Sequence, residues 1–181
     1  MLLSAEQSFL LIIDMQKKVL DLVREHERVT RNCKWLMRLA DKVGVPVAAT
    51  CHYPEGLGPV IDELRRHVPA QAVRAKVHFS CVAARCLDDL PAMQRSQVVI
   101  AGIETHVCVW QSAADFRAAG TEVFVVADAV SSRQDGDTIL ALERMTAAGI
   151  HVVSREMVLF EWLRHAGTPL FKEVNREFLR G

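Results

Sequence analysis

The chain has 181 residues, 50% apolar and 24% charged, enough for one well-cored domain and short for two. Its 22 basic and 22 acidic side chains cancel, which removes the long-range field that would favour nucleic acid or an anionic membrane and leaves self-association unopposed. Five cysteines (Cys33, Cys51, Cys81, Cys86 and Cys108), an odd count without CxxC spacing, argue against a disulfide framework or a structural zinc site and suit a reducing, cytoplasmic setting.

Residues 1–6 carry neither a cationic run nor a cleavage-type tail, so no signal peptide is expected. No apolar run approaches membrane-spanning length. Residues 9–13 (Phe-Leu-Leu-Ile-Ile) form a continuous apolar run ending at Asp14, the pattern of a strand buried on both faces. Over 16–43, Val19, Leu22, Val23, Val29, Cys33, Leu36, Met37 and Ala40 recur at threes and fours, which predicts a helix closed by Gly44. Residues 45–50 read as a second strand, with Pro46 near its start. A loop rich in proline and glycine follows over 51–59, then a short amphipathic helix over 60–67.

A brief third strand spans 73–76 and a third helix 82–90. The fourth strand covers 97–101, and a helix over 109–119 stops at Gly120. The fifth strand, 121–127, closes at Asp128. A helix over 137–148 ends at Gly149, the sixth strand is 150–153, and the tail is helical over 155–165 and 170–179. Strands alternating with helices predict an α/β fold, with a parallel sheet covered on both faces. Residues 1–181 show no repeat or linker and are expected to form a single domain.

In such sheets the working groups gather at the carboxyl ends of the strands, near the point where strand order reverses. Asp14, Lys76 and Cys108 all fall there. Each has an ordinary alternative: Asp14 could cap the next helix, Lys76 could be a solvated charge, and Cys108 could be a small buried hydrophobe. The stretch Gly102–Cys108 is a strand-to-helix turn. If Thr105 caps the helix, Cys108 lies about one turn in, where the helix dipole and unpaired N–H groups favour thiolate. An acid, a base and a thiol at one edge make a plausible nucleophile site.

Four ordered stretches carry a family resemblance: Leu-Ile-Ile-Asp-Met-Gln (11–16), Lys-Val-His-Phe-Ser (76–80), Gly-Ile-Glu-Thr-His-Val-Cys-Val (102–109) and Val-Val-Ala-Asp-Ala-Val-Ser-Ser-Arg (125–133). Together they resemble the isochorismatase-like cysteine hydrolases, and residues 53–59 and 169–173 look like the isochorismatase domain-containing branch. The resemblance implies a Rossmann-like three-layer sandwich with a six-stranded parallel sheet. It also implies a catalytic triad of Asp14, Lys76 and Cys108, a cis peptide between Ile103 and Glu104, and an oxyanion hole of the Glu104 and Cys108 backbone N–H groups. By position, Gln16, His52, Tyr53, Phe79, Glu104 and His106 are expected to line a pocket for a small-molecule substrate.

The chain departs from the nicotinamidases of this superfamily, which carry an Asp-x-His metal pair and a further His. Thr50-Cys51-His52-Tyr53 offers one His and no adjacent Asp, and a lone His is a poor metal site, so no metal or other cofactor is expected. Isochorismatases proper lack the nucleophilic cysteine, whereas Cys108 is present. Hydrolysis of a small amide or related C–N bond is therefore expected, against a non-hydrolytic metabolite-binding or scaffold role and a thiol redox sensor. His78 and His106 could touch substrate or make local hydrogen bonds. Asp128, Ser131 and Ser132 read first as strand-end hydrogen bonders, and Cys81 and Cys86 as packing residues. The resemblance also implies a homo-oligomer, with no nucleic-acid or membrane partner; the first helix and the tail around Trp162, Leu163, Leu170, Phe171 and Phe178 serve as candidate interfaces or simply pack internally.

Overall fold

The computed structural model describes residues 1–180. Ser8–Ile13 (β1) is buried at every position, as a strand covered on both faces requires. Lys17–Leu20 (α1) and His26–Val43 (α2) follow as two helices, where the apolar spacing predicts one. The break spans 21–25 and ends at Glu25, whose φ of 48° is left-handed and incompatible with a helix interior. Val47–His52 (β2) ends two residues later than expected, and Pro54–Leu57 (α3) and Asp62–Arg65 (α4) are single turns within a mostly irregular connection. Val73–Lys76 (β3) matches its sequence-based bounds.

The helix expected over 82–90 is not formed. Arg85 has φ 52°, and the amides of Arg85, Ala84 and Cys86 reach back to Val82, Ser80 and Cys81 respectively, so the turns change pitch residue by residue. Leu87 and Leu90 bury themselves from this irregular segment all the same; apolar spacing reported burial there, not helicity.

Gln97–Ile103 (β4) is again buried throughout. Trp110–Ala118 (α5), Glu122–Ser131 (β5), Asp135–Ala147 (α6), His151–Val153 (β6), Arg155–Leu163 (α7) and Pro169–Val174 (α8) complete the order. β5 does not stop at Asp128. Ile100 faces Val125 and Gly102 faces Val130, so a two-residue step on β4 meets a five-residue step on β5. This irregularity carries the strand on to Ser131 and delivers Ser132 and Arg133 to the carboxyl edge.

All neighbouring strands pair in parallel, in the order β3-β2-β1-β4-β5-β6. The chain steps outward from β1 to β3, returns to the other side of β1 as β4, and steps outward again. The reversal point is the β1–β4 pair, with α2 and α7 packed together over the sheet and α5 and α6 together against β5. Among the described residues no helix is long and apolar enough to cross a membrane.

Candidate active site

β1 and β4 end side by side, with Ile13 opposite Gly102. Asp14 follows β1 at φ 53°, a left-handed conformation that a short polar side chain tolerates. That kink leaves its carboxylate between β1 and β2, where Thr50 Oγ1 donates to Oδ1 at 2.7 Å and Lys76 Nζ donates to Oδ2 at 2.6 Å. Both carboxylate oxygens are thus engaged, and α1 begins after Gln16 with no side-chain cap, so Asp14 does not cap it. Nor is Lys76 a surface charge: its side chain has 0% exposure and that of Asp14 has 4%.

Cys108 enters from the far side of the reversal point. The Ile103–Glu104 peptide bond is cis, and Thr105–Val109 forms a wide π-type turn that runs directly into α5. Thr105 does not cap this turn; its buried hydroxyl has no hydrogen-bond partner among the described residues. Cys108 is buried, with Sγ within 4.8 Å of an Asp14 carboxylate oxygen and of an imidazole nitrogen of His52.

The electrostatic expectation for the thiol is overturned. Burial, followed by the negative Asp14 carboxylate, pushes the Cys108 thiol well above its ordinary range, with Lys76 pulling the other way. Loss of water around the sulfur outweighs any help from the helix start. The resting group is a thiol beside a carboxylate, not a free thiolate.

The remaining expected residues divide. Gln16, expected to face substrate, is completely buried. Its Oε1 accepts from His52 N at 2.7 Å, and its Nε2 donates to the carbonyls of His52 at 2.9 Å and Gly58 at 2.5 Å, so it braces the wall instead of presenting a free group. His52 lies inside that wall, its ring stacked on Phe79 with centroids 5.3 Å apart; burial and then Lys76 lower its pKa. Read from its sequence neighbours His52 stood alone, but in space it has Asp14 and Cys108 beside it. Tyr53 and Phe79 are exposed, as is Val77, and give the rim an apolar edge. A cleft of about 350 Å³ borders Lys76, between Pro54, Glu55 and His78.

Glu104 and His106 are held by the extended end of β5. Arg133 Nε donates to Glu104 Oε1 at 2.7 Å, and His106 Nδ1 and Ser132 Oγ lie 2.9 Å apart. Ser131 is the strand-end hydrogen bonder expected of it, its Oγ donating to Arg24 O, whereas Asp128 lies within β5 and makes its bond from there, Oδ1 accepting from Arg155 N. Two members of the site were missed from sequence. Thr50 carries a signal only in register, since it pairs with Ile13 next to Asp14. Arg133 sits in one of the four recognised stretches, but its reach to Glu104 depends on the β5 irregularity.

Residues 8–157 match the family model described as Isochorismatase domain. Isochorismatase domain-containing protein 2 of Rattus norvegicus is 36% identical over 175 residues, covering 94% of this chain and 80% of the relative. The structure of MAR1 ribonuclease from Caenorhabditis elegans superposes with a TM-score of 0.91 at 29% identity, covering 99% of this chain and 93% of that one. YcaC from Escherichia coli, described as an octameric hydrolase of unknown specificity, gives a TM-score of 0.88 at 26% identity, over 99% and 93% of the two chains.

Proposed function

The chain belongs to the isochorismatase family, and from that premise we propose that it is a single-domain cysteine hydrolase that cleaves a small amide or related C–N bond through a thioester on Cys108. The observation that carries this reading is the convergence of Asp14, Lys76 and Cys108 at the β1–β4 reversal point, with Asp14 and Lys76 joined at 2.6 Å and nearly without solvent contact.

Because the resting thiol is neutral, its deprotonation is coupled to attack. Asp14 takes the S–H proton as the sulfur bonds to the substrate carbonyl carbon, and Lys76 keeps Asp14 oriented and balances the charge. The Glu104 and Cys108 backbone N–H groups receive the developing oxyanion. Asp14 then returns the proton to the leaving amine, the C–N bond breaks, and the thioester remains. Water deprotonated by Asp14 cleaves the thioester and restores the thiol. His52, Tyr53, Phe79, Glu104 and His106 form the surrounding wall.

The ribonuclease activity in the name of the worm neighbour is not carried over, because 22 acidic groups against 22 basic ones provide no net attraction for a phosphate backbone. The octamer of the bacterial neighbour supports a homo-oligomer here.

A panel of small amides, assayed with wild type and Cys108→Ala, tests the reading. Expected are turnover by wild type, a loss of about 10⁴-fold or more in the variant, and a trapped acyl adduct on Cys108 by mass spectrometry. Equal turnover by the variant would sink the mechanism. Tight metabolite binding with no turnover and an unmodified thiol would leave a binding protein in its place.

A further inference from the structure

Three side chains that are remote in sequence meet beside the turn. A carboxylate oxygen of Asp14, an imidazole nitrogen of His52 and Sγ of Cys108 lie within 4.8 Å of one another. Oxygen, nitrogen and sulfur donors together suit a borderline-soft divalent ion and not Mg²⁺ or Ca²⁺, which prefer oxygen alone. Zinc bond lengths put tetrahedral ligand atoms about 3.5 Å apart, so small side-chain rotations close the cluster around an ion.

A second observation concerns His52 itself. Its Nδ1 is buried and has no hydrogen-bond partner among the described residues. The residue is nevertheless well fixed, with its amide bonded to Gln16 Oε1 and its ring stacked on Phe79. Because Nδ1 has no protein partner, the ring gives up no hydrogen bond at that nitrogen when an ion binds. Asp14 retains capacity too: its bonds from Thr50 and Lys76 use two of roughly four lone-pair sites.

We propose that Asp14, His52 and Cys108 form a reversible inhibitory site for Zn²⁺ and similar thiophilic divalent ions. On binding, the Cys108 S–H bond breaks, its proton passes to the solvent buffer, and the sulfur electron pair forms a metal–thiolate bond; no group is oxidised or reduced. Three protein ligands leave a fourth position for water or another small ligand. The Lys76 ammonium, 2.6 Å from the Asp14 carboxylate, repels the ion and keeps binding weaker than at a structural four-ligand site. The ion occupies the sulfur assigned above as nucleophile, so it is an inhibitor and not a cofactor. Binding rests on the geometry alone; only its inhibitory consequence rests on the hydrolase reading.

The experiment titrates metal-free protein, without substrate, with Co²⁺ as a spectroscopic probe and then with competing Zn²⁺. Expected are one Co²⁺ per chain with a thiolate-to-metal charge-transfer band, displacement by Zn²⁺ and none by Mg²⁺. The band disappears in Cys108→Ser. Affinity falls about 10–100-fold or more in both His52→Ala and the conservative His52→Gln, with unchanged far-ultraviolet circular dichroism certifying the fold. In wild type, Zn²⁺ protects Cys108 from iodoacetamide, read by peptide mass spectrometry. A band that survives Cys108→Ser, full affinity in both His52 variants, or no band in wild type overturns the site. A protein that turns over amides yet binds no Zn²⁺ refutes this inference only. One that binds Zn²⁺ as described yet hydrolyses nothing refutes only the hydrolase reading.

Discussion

Gly102 approaches Ile13 so closely that a Cβ on it would run into the Ile13 carbonyl oxygen and stand 2.7 Å from its amide nitrogen. Gly102 also has φ 122°, a region essentially closed to other residues. The two strands whose ends carry Asp14 and the turn to Cys108 are held together at this contact. Gly102→Ala is therefore expected to cost roughly 2–5 kcal/mol from overpacking and backbone strain and to separate Asp14 from Cys108. Urea unfolding and amide turnover check this together. A variant with wild-type stability and rate would mean that the strands part freely.

Lys76 and Asp14 are nearly without solvent contact and 2.6 Å apart, so each is the other's counter-charge. Lys76→Met leaves a buried carboxylate and Asp14→Asn a buried ammonium, and each is expected to lose roughly 3–5 kcal/mol. The double variant removes both charges and should be more stable than the sum of the singles implies, while remaining inactive. A double-mutant cycle in urea measures the coupling; strictly additive losses would show that the pair is solvated.

Gln16 holds the wall through three bonds, to His52 N, His52 O and Gly58 O. Gln16→Ala leaves those backbone groups unmatched, at about 1–3 kcal/mol. Since Gln16 braces the wall and makes no contact with the reacting atoms, KM should rise more than kcat falls. Gln16→Glu keeps the acceptor for His52 N but sets a buried carboxylate against the carbonyl oxygens of His52 and Gly58, and should destabilise more than Gln16→Ala. A pure kcat loss would place Gln16 at the chemistry instead.

The strands and the acid–base–thiol cluster were legible in the sequence for a shared physical reason. Buried parallel strands are short apolar runs with abrupt ends, so Asp14, Lys76 and Cys108 could each be placed at an edge from local pattern alone. Where burial and conformation part company, pattern misleads. Residues 82–90 bury Leu87 and Leu90 without a helix, and a turn segment closed by left-handed Glu25 separates α1 from α2 within 16–43. Gln16 was assigned to the right neighbourhood and the wrong task, because nothing in Met-Gln-Lys says which way an amide turns. The grip of Arg133 on Glu104 and the meeting of His52 with Cys108 depend on register between distant strands, which no local window contains.

Burial raises all five thiols: Cys33, Cys51, Cys86 and Cys108 above their ordinary range, and Cys81 to about 12. The folded chain therefore keeps protons that the unfolded chain gives up near pH 8.5. Below that pH both states hold the thiol protons and the contribution is full. Above it the unfolded state binds fewer protons, so stability falls as pH rises toward the folded pKa values, by about 1.4 kcal/mol per pH unit for each thiol still protonated in the fold. Cys108→Ala deletes one such thiol, while other ionising groups are common to both proteins. Urea unfolding above about pH 9, where the unfolded thiol is largely ionised, should give the variant a slope shallower than wild type by about that amount per unit. Parallel slopes would mean that Cys108 ionises alike in both states and that burial does not raise its thiol.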